Sequence, residues 1–226
     1  MGKNLPWVKK ISYLGCTLET DNSMRADLAQ KRGQFIGRIN SLLQEFHFIG
    51  KDSMFKLIDI YATSFYGSSL WDLLSSDAEK LYKSWNVMVR NVLDLDRRTH
   101  RFLIEPLSGH LHLKTMLLSR LVTFHKGLIN SPKFTIRFLA RITERDLRTA
   151  HGKSLHWLME QCNVDRLEDL NSNLVKRKVV YYPRLEDHAW RTSLAFELFR
   201  IRKNDMTIEG FSDTETNDIF NYICTE

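Results

Sequence analysis

The segment ISYLGCTLET, residues 11–20, decides the class of fold. Its residues alternate as in a β-strand, with Ile11 and Tyr13 on one side and Leu14 and Cys16 on the other. Almost everything after it has the apolar spacing of helices. The sequence therefore predicts a mainly α fold in which one orphan β-strand precedes a helical bundle and a second helical segment.

The residues that follow the strand predict a long first helix. It is expected to begin after a cap at Asp21 or Asn22 and to end near Phe46, and Gly33 and Gly37 inside it weaken the prediction. Its apolar stripe recurs at steps of three, four and seven, which keeps one face toward a core. The stripe consists of Leu28, Phe35, Ile39, Leu42 and Phe46.

Two more helices are predicted before a break in the periodicity. One runs from about Asp52 to about Leu74, and the next is capped by Ser76 or Asp77. Residues 93–110 contain a proline and a glycine and lose the helical spacing, so they are the best candidate for a domain boundary.

Further helices are predicted after the break, and the segment VKRKVVYYP, residues 175–183, is compatible with helix or strand. Gly152 is interpreted as a helix stop, and Ser212 with Glu215 has the spacing of a capping box. The predicted helical ranges are 110–129, 132–150, 154–161, 165–170, 186–202 and a last helix after residue 212.

The charge of the chain is uneven. Lys and Arg number 33 and Asp and Glu 27, but residues 205–226 contain six acidic residues and no Lys or Arg. Residues 1–204 therefore carry 33 basic and 27 − 6 = 21 acidic residues, a net charge of +12. A basic body with an acidic end suits a polyanionic partner, although charge of this size also serves solubility alone.

Cysteine usage and hydropathy predict an intracellular protein in the nucleus or cytoplasm. Cys16, Cys162 and Cys224 are odd in number and far apart, which fits neither a disulfide framework nor a zinc half-site. The start of the chain has no apolar signal region, and no run approaches 18 apolar residues. We expect no secretion, no membrane contact, no metal and no cofactor.

The clearest candidate site is a row of basic residues in the predicted helix 132–150. Steps of four, four, four and three would place them on one helical face, where like charges destabilise a helix unless phosphates compensate. The apolar residues Phe134, Phe138, Leu139 and Ile142 are expected to form the opposite, inward side. The alternative is a solvated face balanced by acidic neighbours. The basic row consists of Lys133, Arg137, Arg141, Arg145 and Arg148.

Two other basic clusters are weaker candidates. Arg97, Arg98 and Arg101 lie in a predicted loop, where they could bind phosphates or cap helix carbonyls. The segment 176–178 is short and is interpreted as a solvated turn. Asp94, in the only close pair of aspartates, is interpreted as part of a helix cap.

Three segments in order resemble non-LTR (LINE-type, jockey-like) retrotransposon reverse transcriptases. They are ISYLGCTLETDNSM at residues 11–24, SFYGSSLWDL at residues 64–73 and NVMVRNVLDLDRRTHRFLIEPLSG at residues 86–109. The resemblance is strongest over residues 11–109. In that family a Tyr/Phe-Leu-Gly segment closes the palm sheet and a helical thumb follows it.

The resemblance implies three parts: a palm-strand remnant at 1–20, a thumb-like helical domain at 21–95 and a carboxy-terminal helical domain with an acidic tail at 96–226. Lys31, Arg32 and Arg38 would then face a duplex, as family thumbs do.

The resemblance also implies partners and a missing activity. The partners would be template RNA, an RNA–DNA hybrid or target DNA. The polymerase's Asp-Asp motif occurs nowhere in the chain, so we expect a nucleic-acid-binding fragment of an RNA-directed DNA polymerase that lacks the catalytic palm and has no enzymatic activity of its own. The alternative is a helical protein-interaction or inert pseudogene-derived module that does not bind nucleic acid.

Overall fold

The structure is a computed structural model that describes residues 7–21, 24–99, 104, 108 and 110–179. Over these residues the protein is mainly helical, and its sheet has two strands that precede the helices. The predicted fold class is therefore confirmed. The predicted helices at 186–202 and after residue 212 lie outside the described residues, as does Arg101.

The opening segment folds as a hairpin, so the prediction of a single unpaired strand is wrong in this detail. Strands β1 (Lys10–Tyr13) and β2 (Cys16–Glu19) pair in antiparallel register, with Tyr13 opposite Cys16. A two-residue turn of Leu14 and Gly15 joins them, and both residues have positive φ, 48° and 77°. This geometry matches the twist of a hairpin but is unfavourable for leucine, which is why the sequence did not indicate it.

The hairpin is attached to the helices through its turn and its second strand. Cys16 is buried, and Gly67 approaches it so closely that a Cβ at residue 67 would overlap its sulfur. The ammonium of Lys31 donates a hydrogen bond to the carbonyl of Gly15 at 2.9 Å. The carboxylate of Glu19 accepts the backbone N–H of Ala26 at 2.9 Å, so β2 supplies the cap of the first helix.

Seven α-helices follow the hairpin in the described part of the chain, and a short 3₁₀ turn (Ser68–Leu70) lies between the second and the third. The helices are α1 (Arg25–Glu45), α2 (Lys51–Tyr61), α3 (Ser76–Leu93), α4 (Leu113–Ile129), α5 (Phe134–Arg145), α6 (Ala150–Cys162) and α7 (Ser172–Lys178).

Several predicted boundaries are corrected by backbone conformation. Helix α1 starts at Arg25 rather than after a cap at Asp21. Helix α2 ends at Tyr61 and does not reach residue 74, because Phe65 and Gly67 take positive φ angles of 31° and 81° that end any helical run. The cap of α3 is Ser75, one residue before the prediction, and Asp94 caps its end as interpreted.

The region after residue 145 differs more from the prediction. Helix α5 ends at Arg145, and Thr149 caps a separate helix α6 by accepting the N–H of Gly152 at 3.0 Å. Gly152 therefore lies in the first turn of α6 and is not a stop. Residues 165–170 form turns rather than the predicted short helix, and the ambiguous segment at 175–178 belongs to α7.

One continuous apolar core connects six of these helices, and α5 contributes no side chain to it. It contains side chains from α1 through residue 179, including Phe35, Trp71, Trp85 and Leu117. The core therefore crosses the break near residue 95, and the division of the chain at that point stays a prediction. None of the helices in the described ranges is long and apolar enough to cross a bilayer.

Candidate nucleic-acid interface

The three basic residues predicted on α1 serve as links between elements. Arg32 donates from Nε to the hydroxyl of Ser84 on α3 at 2.8 Å, and Arg38 donates to the carbonyl of Tyr61, at the end of α2, at 3.0 Å. Lys31 binds the turn of the hairpin. Their charged groups thus reach three different neighbours, and each makes a contact within the chain.

The loop cluster after α3 is only partly within the described residues. Arg97 and Arg98 are exposed, and the N–H of Arg98 donates to the carboxylate of Asp96 at 2.6 Å. Arg98 makes this contact with its backbone N–H, so its guanidinium group takes no part in it. The loop keeps two exposed cations available for an anionic ligand.

The predicted five-residue basic face around α5 is shorter than expected. Lys133 is the N-cap residue, and Arg148 lies in the turn beyond the helix, where its Nε is 3.0 Å from a carboxylate oxygen of Asp146. Arg137 donates to the carbonyls of Ser131 at 2.7 Å and Pro132 at 2.9 Å. Three of the five residues are therefore engaged locally or lie outside the helix.

The apolar side of α5 faces solvent, which corrects the prediction that it faces inward. Ala140 is the residue of α5 that is buried, whereas four large apolar side chains are between 48% and 71% exposed. We call the α5 outer face the set of Phe134, Phe138, Leu139, Arg141, Ile142 and Arg145, all exposed.

The outer face combines aromatic rings and cations. The rings of Phe134 and Phe138 stack with centroids 5.9 Å apart and planes inclined by 17°. Arg141 and Arg145 have no hydrogen-bond or ion-pair partner within the described ranges. An anion approaching this face therefore meets two cations that no side chain of the described residues already pairs.

The sequence carried a signal for this arrangement. Phe134, Phe138 and Ile142 each precede an arginine of the basic row by three residues. Residues three apart are neighbours on a helix surface, so the apolar and basic stripes must adjoin and cannot lie on opposite sides. The spacing alone does not say which side faces the core.

A partly buried histidine pair that the sequence did not indicate lies beneath α5. Nδ1 of His125 on α4 is 2.9 Å from Nε2 of His151 on α6, and Nε2 of His125 is 3.7 Å from the carboxylate of Glu144 on α5. That last distance exceeds a hydrogen bond, and within the described residues Nε2 has no hydrogen-bond partner. The two histidine rings therefore lie at the junction of α4, α5 and α6 and connect these helices.

The pKa of each histidine is lowered by this environment. Burial lowers the pKa of His125. Burial, and then the proximity of His125, lower the pKa of His151 to about 4, although a hydrogen bond with the backbone of Ser69 opposes the shift. Among the side chains described here, no group of three or more His, Cys, Asp and Glu residues is arranged to hold a metal ion.

Comparisons with known proteins add no relative. No family model, curated protein or solved structure matches this chain.

Proposed function

We propose that this protein binds nucleic acid through the α5 outer face, as a segment of a LINE-type reverse transcriptase without its catalytic palm. The observation that supports the proposal most is the pair of exposed guanidinium groups of Arg141 and Arg145, which have no hydrogen-bond or ion-pair partner among the described residues, beside the exposed rings of Phe134 and Phe138. Guanidinium groups bind phosphates and aromatic rings stack on unpaired bases, so the combination suits single-stranded nucleic acid.

The net charge is consistent with this proposal. The chain carries +6 overall, and residues 1–204 carry the excess of basic residues. Such a field raises the local concentration of a polyanion and speeds its encounter with the surface. The ligands that we propose are RNA, an RNA–DNA hybrid or target DNA, which would place the protein in the nucleus or cytoplasm.

The salt dependence of binding tests the proposal. Each phosphate contact contributes about −0.9 to the log–log salt slope on a duplex and about −0.7 on a single strand. The double change Arg141→Gln and Arg145→Gln should therefore reduce the slope by about 1.4 to 1.8 units. The matched control is Lys176→Gln with Arg177→Gln, two exposed cations on α7. An unchanged slope in the α5 variant would reject this face and direct attention to Arg97 and Arg98.

The absence of polymerase activity is part of the same proposal. Nucleotide transfer uses two metal ions held by converging carboxylates, and the chain has no Asp-Asp motif. The purified protein should not extend a primer on RNA with Mg²⁺ or Mn²⁺. Extension that is lost on changing Asp94 and Asp96 would contradict this.

A second candidate function, protein interaction, is favoured by the aliphatic part of the same face. Leu139 and Ile142 are about half exposed, and neither side chain offers a contact to phosphate. Under nucleic-acid binding alone, Leu139→Ser with Ile142→Ser should leave the salt slope unchanged. A helical interaction module would instead show no salt-dependent binding in the parent chain.

A further inference from the structure

The α5 outer face exposes four large apolar side chains, each about half exposed or more. Its large apolar side chains lie along nearly the whole length of the helix, from Phe134 to Ile142, and Leu147 in the next turn is also about half exposed. A contiguous exposed patch of this kind indicates a binding surface rather than ordinary surface scatter. Its occupant must be both apolar and anionic, because Arg141 and Arg145 flank the patch.

The chain itself contains a segment with that chemistry. Residues 205–226 carry six acidic side chains and no Lys or Arg. Their apolar residues concentrate at Ile219, Phe220 and Ile223, directly after Asp218. Ile223 follows Ile219 by four residues and Phe220 by three, so on a helix the three would share one face, with acidic groups beside them.

We propose that residues 212–226 bind to the α5 outer face of the same chain. The apolar residues would cover Phe138, Leu139 and Ile142, and the carboxylates would pair with Arg141 and Arg145. Each arginine would then pair with a carboxylate next to an apolar contact that excludes water. Salt screens an ion pair less in such a place than on an open surface.

The connection is long enough for this contact. The described core ends at residue 179, and 180–211 supply 32 residues. A chain of that length can span up to about 105 Å. The 17-residue helix α4 is by comparison about 25 Å long. Chain length therefore does not limit which side of the core the segment can reach.

The contact has a regulatory consequence that rests on the proposed function. The acidic segment would occupy the cations that otherwise bind phosphate, so nucleic acid would have to displace it. The apparent affinity for nucleic acid then falls in proportion to the fraction of molecules whose α5 outer face is still uncovered. The contact itself does not require nucleic-acid binding, so the two proposals can be tested separately.

A spin label on the full chain tests the contact. Cys224 lies inside the proposed segment, whereas Cys16 and Cys162 are buried, and burial raises the pKa of both thiols and slows their reaction. A nitroxide attached to Cys224, at one label per chain by mass, should broaden the amide resonances of α5 more than those of α3. Equal broadening of the two helices would overturn the proposal.

Matched substitutions identify the surfaces in contact. Phe220→Ser with Asp218→Asn in the tail, or Phe138→Ser on α5, should reduce the broadening of α5 at least twofold. The control Ile60→Ser, at an exposed apolar residue on α2, should leave it unchanged. Labelled chain mixed with unlabelled ¹⁵N chain separates the alternatives: broadening that appears on the unlabelled chain assigns the contact to a second copy and overturns the proposal.

Nucleic-acid binding supplies the second readout. The tail variant should bind a fluorescein-labelled 20-nucleotide single-stranded RNA about threefold to tenfold more tightly than the parent chain. Broadening of α5 without RNA binding in either chain would keep the contact and reject the proposed function. RNA binding without broadening of α5, and without tighter binding by the tail variant, would keep the proposed function and reject the contact.

Discussion

The carboxylate of Asp27 accepts the indole N–H of Trp71 at 2.7 Å, and both side chains are fully buried. Its second oxygen accepts the backbone N–H of Thr17 at 2.9 Å. One carboxylate in the first turn of α1 therefore holds the hairpin, the first helix and the loop after α2 together. A buried charge with a donor on each oxygen is stable in place, but it is intolerant of change.

Asp27→Asn should destabilise the fold by roughly 2–3 kcal/mol. The amide keeps one acceptor oxygen and places an NH₂ group against a second donor, which leaves a buried donor unsatisfied. Urea unfolding followed by tryptophan fluorescence measures the change. The control is Asp52→Asn in the first turn of α2, which is exposed and should cost less than about 1 kcal/mol. Equal losses of stability in the two variants would show that the hydrogen bonds of Asp27 with Trp71 and Thr17 add nothing to the free energy of unfolding.

Glycine-to-alanine changes should act in opposite directions in different helices. An added Cβ at Gly33 or Gly37 in α1 meets open space, so each alanine should stabilise by about 0.5–1 kcal/mol. An added Cβ at Gly152 would overlap the carbonyl of Asp146 and lie 2.6 Å from that of Thr143. These are backbone atoms, so Gly152→Ala should destabilise by about 1–3 kcal/mol.

Urea midpoints of the three single variants test this contrast. The Gly33 and Gly37 variants control each other, since they share a helix and an exposed position. A gain in stability for Gly152→Ala would mean that α6 can withdraw from the end of α5, and the close approach would then not be a structural requirement.

Stability should fall in mild acid because of the His125–His151 pair. The pKa of His151 is about 4 in the folded chain, against about 6.5 when unfolded. Between these values the unfolded chain binds more protons, so the contribution is complete above about pH 6.5 and is lost as the pH falls toward 4. We expect a loss of about 2 kcal/mol, after allowance for the partial exposure of His151.

The pH dependence should flatten when both histidines are replaced by glutamine. The double variant removes the two titrating groups, although it also lowers stability at neutral pH because the packing at the junction changes. The exposed His47→Gln serves as the control and should keep the parental pH profile. A double variant with the same acid sensitivity as the parent would assign that sensitivity to other groups.

Leu14→Asn should strengthen the hairpin. Leu14 is 68% exposed and has φ of 48°, a conformation that asparagine adopts more readily than leucine. The substitution removes little buried surface, so the main effect on hairpin stability should come from relief of the unfavourable φ at residue 14. Amide hydrogen exchange in β1 and β2 should slow by about threefold to fivefold. Leu14→Ala is the control, because alanine keeps the unfavourable φ, and an equal effect would exclude backbone strain as the cause.

The sequence by itself determined the mainly helical fold class and the inward face of α1. The stripe from Leu28 to Phe46 repeats at steps that only a helix places on one side, and Phe35 and Ile39 are indeed buried. The acidic tail and the basic body are also properties of sequence alone. Such features are local or compositional, so they do not depend on what packs against them.

The tertiary structure decided what each face meets. The apolar stripe of α5 faces solvent because the other side of that helix, with Ala140 and Glu144, packs above the histidine pair. The close approach at Gly152, the pairing of Asp27 with Trp71 and the partners of Lys31, Arg32 and Arg38 join residues distant in the chain. Periodicity defines a helix's stripes, but the neighbouring elements determine which stripe is covered, because burial depends on contacts that no local pattern contains.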